Sequence, residues 1–214
     1  MKRGGLFITG TDTGVGKTWV TTHLLRNLRR SGVDAVGMKP VECGGREDAL
    51  AILEASGNVL PLDEVNPFHF AEPVAPVAMT ETPRIDFAKI LTVYESLATR
   101  HELVLVEGAG GWLVPLDHGR TMADLAVVLG LPVFLVAANR LGVLNHSLLT
   151  VRAIVASGLV CRAVFLNDPE DARDLDDFSR ESNARVLRDL LTGIAVIEGE
   201  PGGLLDLVRS PPGS

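Results

Sequence analysis

Short runs of apolar residues alternate along this chain with longer stretches in which apolar positions recur every three or four residues. Leu6-Phe7-Ile8, Leu103-Val104-Leu105-Val106, Val133-Phe134-Leu135-Val136 and Ala163-Val164-Phe165-Leu166 are of strand length, with no polar residue among them. A strand that is apolar on both sides is buried on both faces, as in a parallel sheet covered by helices. The pattern predicts strands near residues 5–10, 34–38, 102–106, 132–137, 161–166 and 194–197. Helices are expected at 17–30, 47–56, 86–99, 121–130, 145–157 and 178–192, the first with Val20, Leu24, Leu25 and Leu28 on one stripe. Ser31-Gly32, Ser56-Gly57, Leu129-Gly130 and Ser157-Gly158 each place a glycine at a predicted helix end, where a left-handed residue closes the last turn. The fold class implied is α/β, three-layered, with a mostly parallel central sheet and helices on both faces.

Residues 57–84 interrupt the alternation. This stretch holds Pro61, Pro67, Pro73, Pro76 and Pro83, shows little helical or alternating pattern, and is expected to wrap the surface. Loops of that length in a compact domain are often functional. The tail Ser210-Pro211-Pro212-Gly213-Ser214 is expected to fray. No repeat or linker divides the chain, so residues 1–214 are read as a single domain.

Composition narrows the partners. With 46% hydrophobic and 22% charged residues the balance is globular, and a net charge of −7 gives no general basic surface for nucleic acid. No window approaches the roughly 18 apolar residues of a membrane span and no targeting signal is visible, so neither nucleic acid nor membrane is expected as a partner. The cysteines, Cys43 and Cys161, sit in different contexts and suit a reduced, cytoplasmic protein. The five histidines show no metal-ligand spacing.

Against that background one segment carries chemistry: Gly10-Thr11-Asp12-Thr13-Gly14-Val15-Gly16-Lys17-Thr18, directly after an apolar strand and opening a helix. Such a turn aims backbone N–H groups at one point, where the helix dipole favours phosphate. Lys17 is placed for the β- and γ-phosphates of a nucleotide and the Thr18 hydroxyl for its magnesium. Thr11 holds the position where the usual pattern has its first glycine, with Gly10 one place upstream.

Magnesium also needs carboxylates. Glu107 follows the third predicted strand, where ligand crevices open in α/β sheets, and the Gly108-Ala109-Gly110-Gly111 run after it permits close backbone approach. Asp48 opens a predicted helix, where an acidic residue is also a common dipole partner. Lys39 ends the second strand before Pro40 and points to the same crevice, so that Lys17 and Lys39 are expected at two adjacent strand ends. Paired lysines beside a metal suit phosphoryl transfer, which is mainly charge stabilisation.

The phosphate loop, Lys39-Pro40-Val41, Val106-Glu107-Gly108-Ala109-Gly110-Gly111-Trp112 and Leu141-Gly142-Val143-Leu144-Asn145-His146, in this order and spacing, resemble dethiobiotin synthetases. Asn66-Pro67-Phe68, Phe70-Ala71-Glu72-Pro73 and Asn167-Asp168 match further segments of that family, which together span residues 4 to about 168. The resemblance implies a P-loop NTPase-like fold and an ATP-dependent ring closure in biotin biosynthesis. There, 7,8-diaminononanoate and carbon dioxide give dethiobiotin, ADP and phosphate through a carbamate and its mixed anhydride with phosphate.

By the same resemblance Lys17, Lys39 and Thr13 are the catalytic residues, and Thr18, Asp48 and Glu107 the Mg2+ ligands. The nucleotide falls to Gly14, Val15, Gly16, Lys17, Thr18, Trp19, Asp48, Glu107, Gly108, Ala109, Gly110, Asn167 and Asp168, with Asn167 on the base. The substrate falls to Thr13, Lys39, Cys43 and Gly111. Val143, Leu144 and Asn145 reach the substrate carboxylate of a neighbouring subunit, because the family works as a homodimer. From the residues alone Asn145 reads as an N-cap.

Three departures stand out. Gly14 replaces an acidic residue found in some relatives, and Cys43 stands where a serine is common. The segment Val196-Ile197-Glu198-Gly199-Glu200-Pro201-Gly202-Gly203 lacks the usual Gly-x-Ile-Pro-type stretch beside the base, which leaves other nucleoside triphosphates admissible beside ATP. The alternative in the same fold is a partitioning or regulatory ATPase of the deviant phosphate-loop class. That class needs a second lysine within the loop, where this chain has Asp12, and often a basic amphipathic tail, which is absent from the sequence.

Overall fold

The computed structural model describes residues 4–79, 81, 84–169 and 176–209; the tail from Ser210 lies outside them. The order is β1 (Gly4–Gly10), α1 (Lys17–Arg30), β2 (Ala35–Met38), β3 (Val41–Cys43), α2 (Glu47–Ala55), α3 (Leu62–Val65) and β4 (Phe68–Phe70). After a 3-10 turn at Pro76–Ala78 come α4 (Phe87–Arg100), β5 (Leu103–Gly111), α5 (Met122–Leu129), β6 (Val133–Ala138) and α6 (Val143–Ala156). The chain then runs through β7 (Cys161–Asn167), α7 (Arg180–Leu190), β8 (Ala195–Glu198), a 3-10 turn at Pro201–Leu204 and α8 (Leu205–Arg209).

Six strands form one sheet in the order β2-β5-β1-β6-β7-β8, with every pairing parallel. Parallel crossovers are right-handed, so the connection from β1 toward one sheet edge puts α1 on one face. Later connections run toward the other edge and put α4 to α7 on the opposite face. The packing agrees: α1 touches α2 and the C-terminal turn and helix, α4 touches α5, and α6 touches α7. Phe7, Phe134 and Phe165, on adjacent strands, are fully buried, and one apolar cluster runs from Leu6 to Leu204. Each such ring stabilises the fold by about 1.5–3 kcal/mol relative to exposure.

The four glycines expected at helix ends all have positive φ, and Gly130 is itself the left-handed cap of α5. Four expectations are corrected. Lys17 and Lys39 do not end adjacent strands, because the crossover from β1 skips a position and β5 lies between β1 and β2. The Glu107 strand does not stop at 106, because parallel pairing with β1 continues to Gly10 opposite Gly111. The proline-rich stretch is not patternless, since β4 pairs with β3 in a small parallel sheet, over a span too short for any period to register. Finally, α6 starts two residues earlier than expected, with left-handed Gly142 as its N-cap in place of Asn145.

Candidate functional site

The loop between β1 and α1 is built around a close approach. A Cβ at Gly10 would meet Val15 Cγ2 at 2.8 Å, the Asp12 carbonyl oxygen at 2.9 Å and Lys17 Nζ at 3.1 Å. The glycine one place upstream of the usual position is therefore the one this loop requires. Gly16 has φ +92, and Lys17 Nζ donates to the Asp12 carbonyl oxygen at 2.9 Å across the loop. Asn167, at the end of β7, donates its amide N–H to the Val15 carbonyl at 2.9 Å and so ties the sheet to the loop.

Behind the loop lies a compact network of charge. Lys39 Nζ donates to Glu107 Oε1 at 2.6 Å and to Asp48 Oδ2 at 2.7 Å. Thr18 Oγ1 donates to the same Glu107 oxygen at 2.8 Å. Lys39 is 2% exposed, Glu107 0% and Lys17 6%. Burial and then the charge of Lys39 push Lys17 down to about 8. For Lys39 burial acts in the same direction, but Glu107 and Asp48 outweigh it and hold the ammonium well above the ordinary lysine value. Burial would raise Asp48; Lys39 overrides it and holds the carboxyl below the usual range.

Lys17, Thr18, Lys39 and Asp48 open on a cleft of about 530 Å³ that is also lined by Thr13, Gly14, Gly16, Cys43, Ala109 and Gly110, while Glu107 lies fully buried behind Lys39 and does not line it. The other expected residues lie elsewhere. Val15 is buried in the core, and a Cβ at Gly108 would meet Phe7 and Met122. A Cβ at Gly111 would face the Thr11 carbonyl. Trp19 is half exposed and lies in tilted ring contact with His23 and Phe165, while Asp168 pairs with Arg180. Val143 is buried, Leu144 half-buried and Asn145 exposed, and none of the three lines the cleft.

The sequence reading did not assign Glu42, Asn66, the Pro73 to Pro76 segment or Val114 to the site. Glu42 lines the cleft and accepts the backbone N–H groups of Asp48 at 3.0 Å and Ala49 at 3.2 Å, capping α2 from a neighbouring strand. Burial raises its carboxyl above the usual range, as it raises the adjacent Cys43 thiol. Asn66 is buried, donates to the Lys39 carbonyl at 2.8 Å and accepts from Arg46 Nε at 3.0 Å. Pro73 to Pro76 and Val114 complete the wall. The Asn66-Pro67 signal was present in the sequence; for Glu42, adjacency to Cys43 was the only hint.

The donor set suits a hard divalent cation. Thr18, Asp48 and Glu107 offer oxygens only, and the fully buried Glu107 Oε2 has no hydrogen-bond partner. Magnesium is typically held by one or two carboxylates together with substrate phosphates, and the residues present fit it. Among the described residues no helix is long and apolar enough to cross a membrane, and both cysteines are free thiols.

A parallel sheet with a glycine loop at the switch between β1 and its neighbours, followed by Lys-Thr at a helix start, defines a P-loop nucleotide-binding protein. Residues 4–190 match the AAA domain family. Solved structures agree on the fold. The MinD cell division protein of Aquifex aeolicus superposes with a TM-score of 0.57 at 16% identity, over 96% of this chain and 86% of that one. The hydrogenase maturation factor HypB of Archaeoglobus fulgidus gives 0.55 at 14%, over 97% and 89%. Sequence relatives are more specific. The ATP-dependent dethiobiotin synthetase BioD of Akkermansia muciniphila is 41% identical over 87% of this chain and 91% of its own. Those of Anaeromyxobacter sp. strain K and Aromatoleum aromaticum are 50% and 40% identical, over 78% and 96% of both chains respectively. The chain belongs to the ATP-dependent dethiobiotin synthetase family.

Proposed function

We propose that this chain closes the ureido ring of dethiobiotin at the Lys17–Lys39 cleft, using ATP, carbon dioxide and 7,8-diaminononanoate. One amine adds to carbon dioxide and loses a proton, giving a carbamate. A carbamate oxygen takes the γ-phosphoryl group and ADP leaves. The second amine attacks the carbamoyl carbon, the bond from that carbon to the phosphate oxygen breaks, the nitrogen gives up a proton and the ring closes with release of phosphate. The observation that carries this reading is the convergence of Lys17, Thr18, Lys39 and Asp48 on one cleft, with Glu107 buried behind them and bonded to Lys39 and Thr18, within a chain of this family.

Each intermediate is anionic, so Lys17 and Lys39 act by charge and orientation, and Thr13 adds a hydroxyl at the exposed turn. Magnesium, held by Thr18, Asp48 and Glu107, supplies divalent charge for the phosphates. Glu42 keeps Asp48 in place through the first turn of α2. Asn167 and Asp168 at the end of β7 serve the base side, and Cys43 and the Ala109–Gly110 backbone border the substrate.

The protein works as a cytoplasmic homodimer. Leu141 (79% exposed) and Leu149 leave apolar surface at α6 for a second copy, and Val143, Leu144 and Asn145 serve the partner's substrate carboxylate. The test is ADP release measured with and without the diamine and bicarbonate. A rise of at least about tenfold with both present is expected from transition-state stabilisation that needs the reacting carbamate. ATP turnover indifferent to the diamine overturns the reading.

A further inference from the structure

Lys39 grips one oxygen of each carboxylate proposed to hold the metal and leaves the buried Glu107 Oε2 unpartnered. Its ammonium lies 2.6 Å from Glu107 Oε1 and 2.7 Å from Asp48 Oδ2, and Thr18 donates to that same Glu107 oxygen. A divalent cation and an ammonium repel each other, so a metal entering on Glu107 Oε2 and Asp48 competes with Lys39 for the same two carboxylates. Glu107 is fully buried and requires a positive partner in either case. The backbone of Lys39 is fixed at both ends of the residue: its N–H donates to the Val65 carbonyl at 2.7 Å and its carbonyl accepts from Asn66 at 2.8 Å. Pro40 restricts it further. Only the flexible four-carbon stem is left to move.

We propose that Lys39 is an exchangeable internal cation. It neutralises Asp48 and Glu107 until a divalent ion takes them, and the released ammonium then turns into the cleft, where Lys17 already stands and where phosphoryl and carbamate oxygens require charge. Delivery of Lys39 is thereby coupled to the arrival of the metal. An enzyme that has not loaded the metal keeps one of its two reactive lysines withdrawn. This inference rests on Thr18, Asp48 and Glu107 being the metal ligands.

Mn2+ binding to the nucleotide-free protein, followed by electron paramagnetic resonance of the free ion, tests it directly. Lys39→Met is expected to bind Mn2+ at least about tenfold more tightly than the parent, since the competing charge is gone. Lys39→Arg, which retains the charge, and Lys89→Met, which removes an exposed lysine outside the network, stay within about twofold. If Lys39→Met does not fold, Lys39→Gln carries the same expectation, because it removes the charge and can still donate to both carboxylates. Affinity in Lys39→Met or Lys39→Gln that equals or falls below the parent's, and that Glu107→Gln abolishes, defeats the exchange alone. Mn2+ affinity that survives Glu107→Gln in the Lys39→Met background defeats the metal assignment and the exchange with it.

Discussion

At the scale of single residues, Lys17 and Lys39 are the same side chain pushed in opposite directions. Lys17 falls from 10.5 to about 8, so the unfolded chain binds the extra proton between these values and stability rises with pH across that window. Below pH 8 the buried charge opposes folding by up to roughly 3 kcal/mol. Lys17→Met should therefore stabilise the nucleotide-free protein by about 1–3 kcal/mol at pH 7 in urea unfolding, with the gain gone near pH 10.5, while nucleotide binding is lost. Lys39 is raised, and its contribution is fully present below 10.5 and disappears as pH climbs through the raised value. Lys39→Met, which strands the buried Glu107, should destabilise by roughly 3–5 kcal/mol. Glu42→Ala removes the acceptor for two N–H groups of α2 and should cost about 1–2 kcal/mol in the same assay. It should also raise the Mg2+ concentration needed for half-maximal ADP release. An unchanged magnesium dependence would show that Asp48 does not need Glu42. Lys17, Lys39 and Glu107 stood out from residue type and place along the chain, whereas Asp48 drew attention only through the family resemblance, since by place alone it reads as a dipole partner of its helix. Glu42 did not stand out, because its role exists only once β3 lies beside the start of α2.

At the scale of elements, the glycine loop and the helix ends separate two demands that look alike in the sequence. Gly16 and Gly32 both have strongly positive φ, +92 and +83, yet a Cβ on Gly16 would meet Asn167 Nδ2 at 2.0 Å while one on Gly32 meets nothing within 4 Å. Gly32→Ala should lower stability by about 1–2 kcal/mol, the left-handed strain alone, with nucleotide affinity intact. Gly16→Ala adds a collision with the side chain that ties β7 to the loop, and nucleotide affinity should fall at least about tenfold. Equal nucleotide affinity for the two variants, measured by calorimetry, would refute this division. The long apolar strands and the stripe of α1 could be read from periodicity because each buries a regular set of positions. β3 and β4 could not, since each is three residues long and their pairing joins segments far apart in sequence.

For the whole molecule, the cleft joins the ends of β1, β2 and β5 to the start of α2, so a bound nucleotide is expected to hold the site together. At about 100 times the dissociation constant it adds roughly 2.7 kcal/mol. For a chain of 214 residues that corresponds to about 5–10 °C in Tm by scanning fluorimetry. EDTA should remove most of the shift in the parent, and Glu107→Gln should weaken its dependence on Mg2+. A shift with ADP that is indifferent to EDTA would remove the metal from the site. The sequence by itself determined the α/β class, the phosphate loop and the family, because strand length, helical period and a contiguous loop are local properties that the chain states in order. Only the tertiary structure decided that β5 inserts between β1 and β2. That crossover brings Glu107 to Lys39, which then grips both Glu107 and Asp48. Strand order and the contacts of Glu107 with Lys39 and Thr18 come from the packing of distant segments into one sheet, and no local pattern encodes them.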